Sequence, residues 1–133
     1  MVEINLIPFK HKHLPLVLEL LKSRQYVGIS DITTKTLPKI GYIAMLGDQP
    51  VACGFLRRLE PFYAQLDTLS SSAYFGSDIR HLGINKCVFA LIDDAKRLKL
   101  KGIISHTSDP GILSRAQSIG FHIVEQTIIA KPL

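Results

Sequence analysis

Arg80-His81-Leu82-Gly83-Ile84-Asn85 sets a cation, a glycine and an amide side chain at the opening of a stretch with helical periodicity. A loop of backbone N–H groups running into a helix N-terminus is a ready anion site. The first-turn amides lack intrahelical partners, and the helix dipole adds partial positive charge. A pyrophosphate suits such a site, with the 77–85 amides, Arg80 and Lys86 to meet it. Downstream, Ser108-Asp109-Pro110 leads through Leu113 to Ile119-Gly120-Phe121, with Pro near the start of a short helix and Gly beyond its end.

The elements that must position these residues can be read from periodicity. Val2–Ile7 alternates as a strand and Pro8 ends it, after which Leu14, Val17, Leu18, Leu20 and Leu21 recur as on a helix from about His13 to Arg24. Residues 25–37 carry a mixed signal, with a short helix starting at Ser30-Asp31 weakened by Ile32, Thr33 and Thr34. Gly41–Leu46 and Val51–Arg58 read as a hairpin turning at Gly47-Asp48-Gln49-Pro50, and Tyr63–Leu69 as a third antiparallel strand. The stripe Ile84, Cys87, Val88, Leu91, Ile92, Ala95, Leu98 predicts a long amphipathic helix, with Asp93 and Asp94 on its polar side. Gly102–His106 then forms a short strand, Pro110–Ser118 a helix, and Phe121–Lys131 an extended segment. The expected order is β-α-(α)-β-β-β-α-β-α-β, without internal repeat or linker.

Composition narrows the classes. The 133 residues suffice for one domain, 1–133, and 47% hydrophobic with 20% charged residues is the balance of a folded protein. No apolar run approaches the ~18–20 residues of a membrane span, and the first residues lack the features of a secretory signal, so the expected location is the cytoplasm. The two cysteines, Cys53 and Cys87, are not spaced for a metal or redox motif, and His11 and His13 have no completing ligands, so no metal is expected. Sixteen Lys plus Arg against eleven Asp plus Glu give a charge of +5. That balance is compatible with a polyanionic ligand, whereas the lack of basic runs interleaved with aromatics argues against a nucleic-acid binder.

The element order, together with the two motifs, resembles the GNAT superfamily of acyl-CoA-dependent N-acyltransferases over nearly the whole chain. Arg80, Gly83 and Asn85 take the places of the family's Q/R-x-x-G-x-G/A loop, with Asn85 replacing a small residue. Ser108 to Phe121 is similar, without a gap, to the family's S-N-P-x-A-x-x-L-Y-x-x-x-G-F segment, with Asp109 in place of Asn and Ala116 in place of the Tyr that protonates the departing thiolate. The resemblance implies an α/β (α+β) fold with a mixed, mostly antiparallel sheet flanked by helices on both faces. It also implies acetyl-CoA as cofactor, an amine acceptor as substrate, and transfer by direct attack of the amine on the thioester. The cofactor-binding residues it implies are Leu69, Ser71, Arg80, His81, Leu82, Gly83, Ile84, Asn85, Asp109 and Leu113. Of these, Leu69 and Ser71 would offer backbone amides to the thioester carbonyl from a strand that splays from its parallel neighbour.

Such a transfer needs a neutral amine, a polarised carbonyl and a stabilised thiolate. Asp67, near the end of its strand, is the first candidate base, acting directly or through water, and a turn or cap residue is the alternative. His106 is the second, with a structural histidine as its alternative. Tyr74, in the long segment 70–79, could supply the proton that Ala116 cannot, or anchor its loop. The departures at Asn85 and Ala116 also leave open a non-catalytic module of the same shape that binds CoA or a protein partner, and homodimerisation is not legible.

Overall fold

The computed structural model describes residues 3–25, 28–59, 61–107, 110–124 and 129–132. Its elements are β1 (Asn5–Pro8), α1 (Leu14–Ser23), β2 (Ile40–Leu46), β3 (Gln49–Leu59), β4 (Tyr63–Ser71), α2 (Ser77–Arg97), β5 (Gly102–Ile104) and α3 (Pro110–Ser118). Short 3₁₀ turns stand at His11–His13 and Ile29–Asp31. The sheet runs in the order β1-β2-β3-β4-β5, with antiparallel pairs up to β4 and a parallel β4–β5 pair. This is the mixed, mostly antiparallel sheet that the sequence led us to expect. The central hairpin is tighter than the expected four-residue turn: Leu46 pairs with Gln49, and Gly47 sits at φ +59°, the conformation that the first position of a type II′ turn demands.

Helices cover both faces because both faces are apolar. On one side Val17, Leu20 and Leu21 of α1 pack with Ile43, Cys53 and Phe55, the Phe55 ring meeting Phe9 edge-on at 5.0 Å. On the other, Cys87 of α2 packs with Ala44, Val51 and Ala52, while Leu91 and Ala95 pack with Leu56 and Ala64. The helical stripe holds with two corrections, since Leu98 lies just past the end of α2 and is 37% exposed, and one polar position is buried. Asp94 lies buried, because its carboxylate accepts the Tyr42 hydroxyl at 2.7 Å and pairs with Arg97, so its position on the helix is inward rather than polar. A buried carboxylate is tolerated when it is bonded and paired in this way.

Two adjustments concern the periphery. The expected helix at Ser30 is the single 3₁₀ turn Ile29–Asp31. Residues 121–124 and 129–132 carry no strand, and the rest of the expected C-terminal extended segment lies outside the described residues. No helix among the described residues is long and apolar enough to cross a membrane.

Cys53 and Cys87 are free, buried and on opposite sides of β3, in the α1 and α2 layers respectively. Burial pushes the Cys87 thiol up to about 12, and Cys53 is raised further, by burial first and then by the neighbouring Cys87. Both thiols are therefore neutral in the folded protein, and neither should react with a disulfide-exchange reagent at pH 8 until the chain is unfolded in denaturant. Since folding raises these values, the associated stability is full below the ordinary thiol value and should fall as pH rises from there towards about 12. Denaturant melts across that alkaline range check the sign.

Candidate functional site

β4 pairs with β5 only from Tyr63 to Gln65, so from Leu66 onward its outer edge is open among the described residues. A cleft of about 500 Å³ occupies the gap, walled by β4 (Leu66, Leu69, Ser70, Ser71), one face of α2, and α3 beyond. α3 supplies Gly111, Ile112, Arg115 and Ala116 to the far wall, Ile119 just past its end continues it, and Ser105 and Phe121 flank it. The size is typical of a small-molecule site.

The β4 wall is not a regular strand. Register slips between Cys53 and Phe55 of β3, whose partners are Ser70 and Asp67, so β4 carries an extra residue opposite Gly54. Thr68, at φ +50°, absorbs the bulge. A β-branched residue in the left-handed region costs roughly 1–3 kcal/mol and persists only where its surroundings hold it.

Arginines rim the cleft. Arg24, just past α1, donates from Nε to the Ser71 carbonyl at 2.9 Å and from Nη2 to the Ser71 hydroxyl at 3.0 Å, tying α1 to the end of β4. Arg80 donates from Nη1 to the Phe75 carbonyl at 2.8 Å. With Arg115 and His81 these groups line the cleft, and none of the described lining residues is a carboxylate. An anionic ligand fits such a lining. Among the described residues no group of His, Cys, Asp and Glu could hold a metal ion.

Where the sequence led us to expect a loop of amides at 80–85, the chain is already helical. α2 starts at Ser77 with Gly76 as its cap, and the Arg80 N–H donates to the Gly76 carbonyl at 3.1 Å. The N–H groups left without helical partners are therefore those before residue 80, and none of residues 76–79 lines the cleft. Winding these residues into a helix deals them to three faces. Arg80, His81, Ile84 and Asn85 turn to the cleft. Leu82 points outward, 39% exposed. Gly83 is buried against the sheet, where an added Cβ would come within 2.8 Å of Val51 Cγ1 and 3.2 Å of Ala52 Cβ.

Leu69 and Ser71 also line that cleft. Leu113 does not line it, although its neighbours Ile112 and Arg115 do, and Asp109 lies outside the described residues. The three proton-transfer candidates are not brought together. Asp67 is not among the lining residues and instead accepts Arg57 Nε at 2.5 Å and the Thr68 hydroxyl at 2.6 Å. It follows Leu66 on the strand and so points to the opposite face. His106 is exposed beyond β5, next to lining Ser105. Tyr74 is 80% exposed and belongs to a smaller hollow with Glu19, Leu20 and Pro50, so its phenol is not at the cleft. Sequence reasoning missed Arg24, whose only local signal is a cation closing a helix.

An acetyltransferase of the GNAT family from Streptococcus pneumoniae superposes with TM-score 0.73 over 98% of both chains at 14% identity. An acetyltransferase from Streptococcus agalactiae gives 0.72 over 98% of this chain and 90% of its own, at 16% identity. The chain has the GNAT acetyltransferase fold. A third structure, of AAC(6')-Iy with a bisubstrate analogue joining CoA to acetylneamine, shares the GNAT fold with TM-score 0.70 over 98% and 99% of the two chains at 15% identity. No family model and no curated protein sequence matches the chain.

Gly83 distinguishes the helical arrangement from a ligand loop. Gly83→Val should lower stability by about 1–3 kcal/mol, the usual cost of overpacking, as read by urea unfolding. A glycine needed only for ligand approach would leave the unfolding midpoint unchanged.

Proposed function

We propose that the chain is an N-acetyltransferase that uses acetyl-CoA and an amine acceptor in the cleft between β4, α2 and α3. The observation that carries this reading is the lining itself: an open strand edge on one wall, three arginines at the rim, and no carboxylate among the described lining residues. Arg24, Arg80 and Arg115 would hold the phosphates through their side chains, and Leu66, Leu69 and Ile112 would enclose the apolar part of the arm. Acetyl-CoA would supply an acyl group activated as a thioester. The open edge of β4 at Leu69–Ser71 would direct backbone N–H groups at the developing oxyanion.

The lining also favours an acceptor class. Without a carboxylate among the described lining residues to take a proton, it suits an amine of pKa near ~8, neutral to a useful extent at pH 7, better than a lysine amine near ~10.4. The imidazole at the cleft is His81, and the hydroxyls are those of Ser70, Ser71 and Ser105. Ala116 lines the cleft where a phenol would serve as acid, and this favours a second reading, a protein of the same fold that binds CoA without turning it over.

Calorimetric titration with acetyl-CoA, with ATP as control, separates these from an empty cleft. The proposal expects micromolar binding that Arg115→Gln weakens roughly tenfold, the loss of a charge-assisted contact. Absence of both heat and thermal stabilisation sinks it. Ala116→Tyr should then raise acetyl transfer to a panel of α-amines by about 10²-fold or more if a missing acid limits the rate. Binding with no turnover in either form supports the non-catalytic reading.

A further inference from the structure

Thr68 is held by a chain of contacts that the anion chemistry of the cleft does not require. Its hydroxyl donates to Asp67 Oδ1 at 2.6 Å. Asp67 Oδ2 accepts Arg57 Nε at 2.5 Å, and Arg57 Nη2 reaches on to the Thr36 carbonyl at 2.8 Å. From the other side, the Cys53 thiol donates to the Thr68 carbonyl at 3.4 Å. These contacts surround the one β4 residue at positive φ.

The bulge decides which way Leu69 faces. In an unbroken strand Leu66 and Leu69, three apart, would project from opposite faces of the sheet. Instead both line the cleft: Leu66 packs in the layer containing Leu91, and Leu69 Cδ1 and Leu91 Cδ1 both stand over Gly54, 2.9 and 3.4 Å from where its Cβ would be. Gly54 leaves room for Leu69, and Thr68 makes the turn that brings it there. Flattening the bulge would shift the register beyond it and carry Leu69 to the α1 side, leaving Leu66 as the one apolar side chain of the β4 wall.

We propose that Arg57 and Asp67 are positioning residues that lock Thr68 in its left-handed conformation and so hold Leu69 and the open β4 edge in the ligand cleft. The role of the cleft rests on the reading given under Proposed function, whereas the lock itself is a property of the unliganded chain. Asp67 would then serve ligand binding from the far face of the sheet, without touching the ligand.

Glycine adopts φ +50° without the penalty a β-branched residue meets, which allows a rescue test. Thr68→Val keeps the branched shape and removes the hydroxyl, Thr68→Gly removes the need for a lock, and Asp67→Ala breaks the lock in either background. Two readouts are taken: the affinity for CoA, and the backbone amide resonances of residues 66–71 without ligand. Thr68→Val and Asp67→Ala should each weaken CoA roughly tenfold and displace those resonances. Thr68→Gly should bind within about twofold of the parent, and Asp67→Ala with Thr68→Gly should regain that affinity.

An unchanged Thr68→Val overturns the proposal, as does an Asp67→Ala, Thr68→Gly double variant that stays as weak as Asp67→Ala, since Asp67 would then act on the ligand directly. Should Asp67→Ala fail to fold, the contrast between Thr68→Val and Thr68→Gly decides. If the parent itself does not bind CoA, the ligand reading fails, and the resonances alone test the lock: Thr68→Val spectra matching the parent over 66–71 would overturn it.

Discussion

β4 and β5 share ladder hydrogen bonds only between Tyr63–Gln65 and Gly102–Ile104, and past Gln65 β4 runs on to Ser71 without β5, which ends at Ile104. Backbone groups withdrawn from a ladder need water, a side chain or a ligand, so an interior gap of this kind has to stay open to solvent or be filled. The rest of the architecture accommodates that gap. α2 lines it with one face while burying another on β2 and β3, α3 stands on its far side with none of its described residues buried, and α1 reaches round through Arg24 to hold the end of β4. The bulge at Thr68 tunes the same edge, setting which β4 side chains look into the gap.

Early winding of α2 changes how an anion can be held. A loop of amides offers fixed, uncharged donors, and what the cleft offers instead is guanidinium groups on three separate elements, two of them already engaged by main-chain carbonyls. Those engagements restrict side chains that would otherwise lose much rotamer freedom on binding. They also make the rim depend on tertiary structure, since Arg24 is placed by α1 and Arg115 by α3. Recognition built this way is more sensitive to salt than a backbone cradle, because it rests on full charges near solvent.

Periodicity made much of this legible from residues alone. The β2–β3 hairpin, the β4 strand and the α2 stripe follow patterns of period 2 and 3.6 that burial enforces, and the resemblance drawn from Arg80–Asn85 and Ser108–Phe121 pointed to the fold the chain has. Six of the expected cofactor residues, Leu69, Ser71, Arg80, His81, Ile84 and Asn85, line one cleft. What escaped was whatever breaks a period or acts over distance. Thr68 is a good strand former and gives no local hint of φ +50°. Asp94 reads as polar until Tyr42, 52 positions away in sequence, supplies its partner. Gly76-Ser77-Asp78 contains an acceptable helix start, and the glycine at 83 drew the boundary later than the backbone does.

Ala116 bears most on whether the cleft performs chemistry. Loss of a phenol removes one way to stabilise a departing thiolate, by protonating it. Stabilising its charge is another. A thiolate near its intrinsic pKa of ~8.5 needs only modest help at neutral pH, and nearby cations lower that value. Under the acyl-transfer reading, a rim of Arg24, Arg80 and Arg115 unopposed by any described carboxylate biases the whole cleft towards negative charge, assisting departure without a proton donor. The bias has a cost at the other end of the reaction, because the same field disfavours a protonated amine at the entrance. On that reading a site of this composition is best matched to an acceptor that arrives neutral, and the absent phenol and a weakly basic substrate would be two consequences of one electrostatic design.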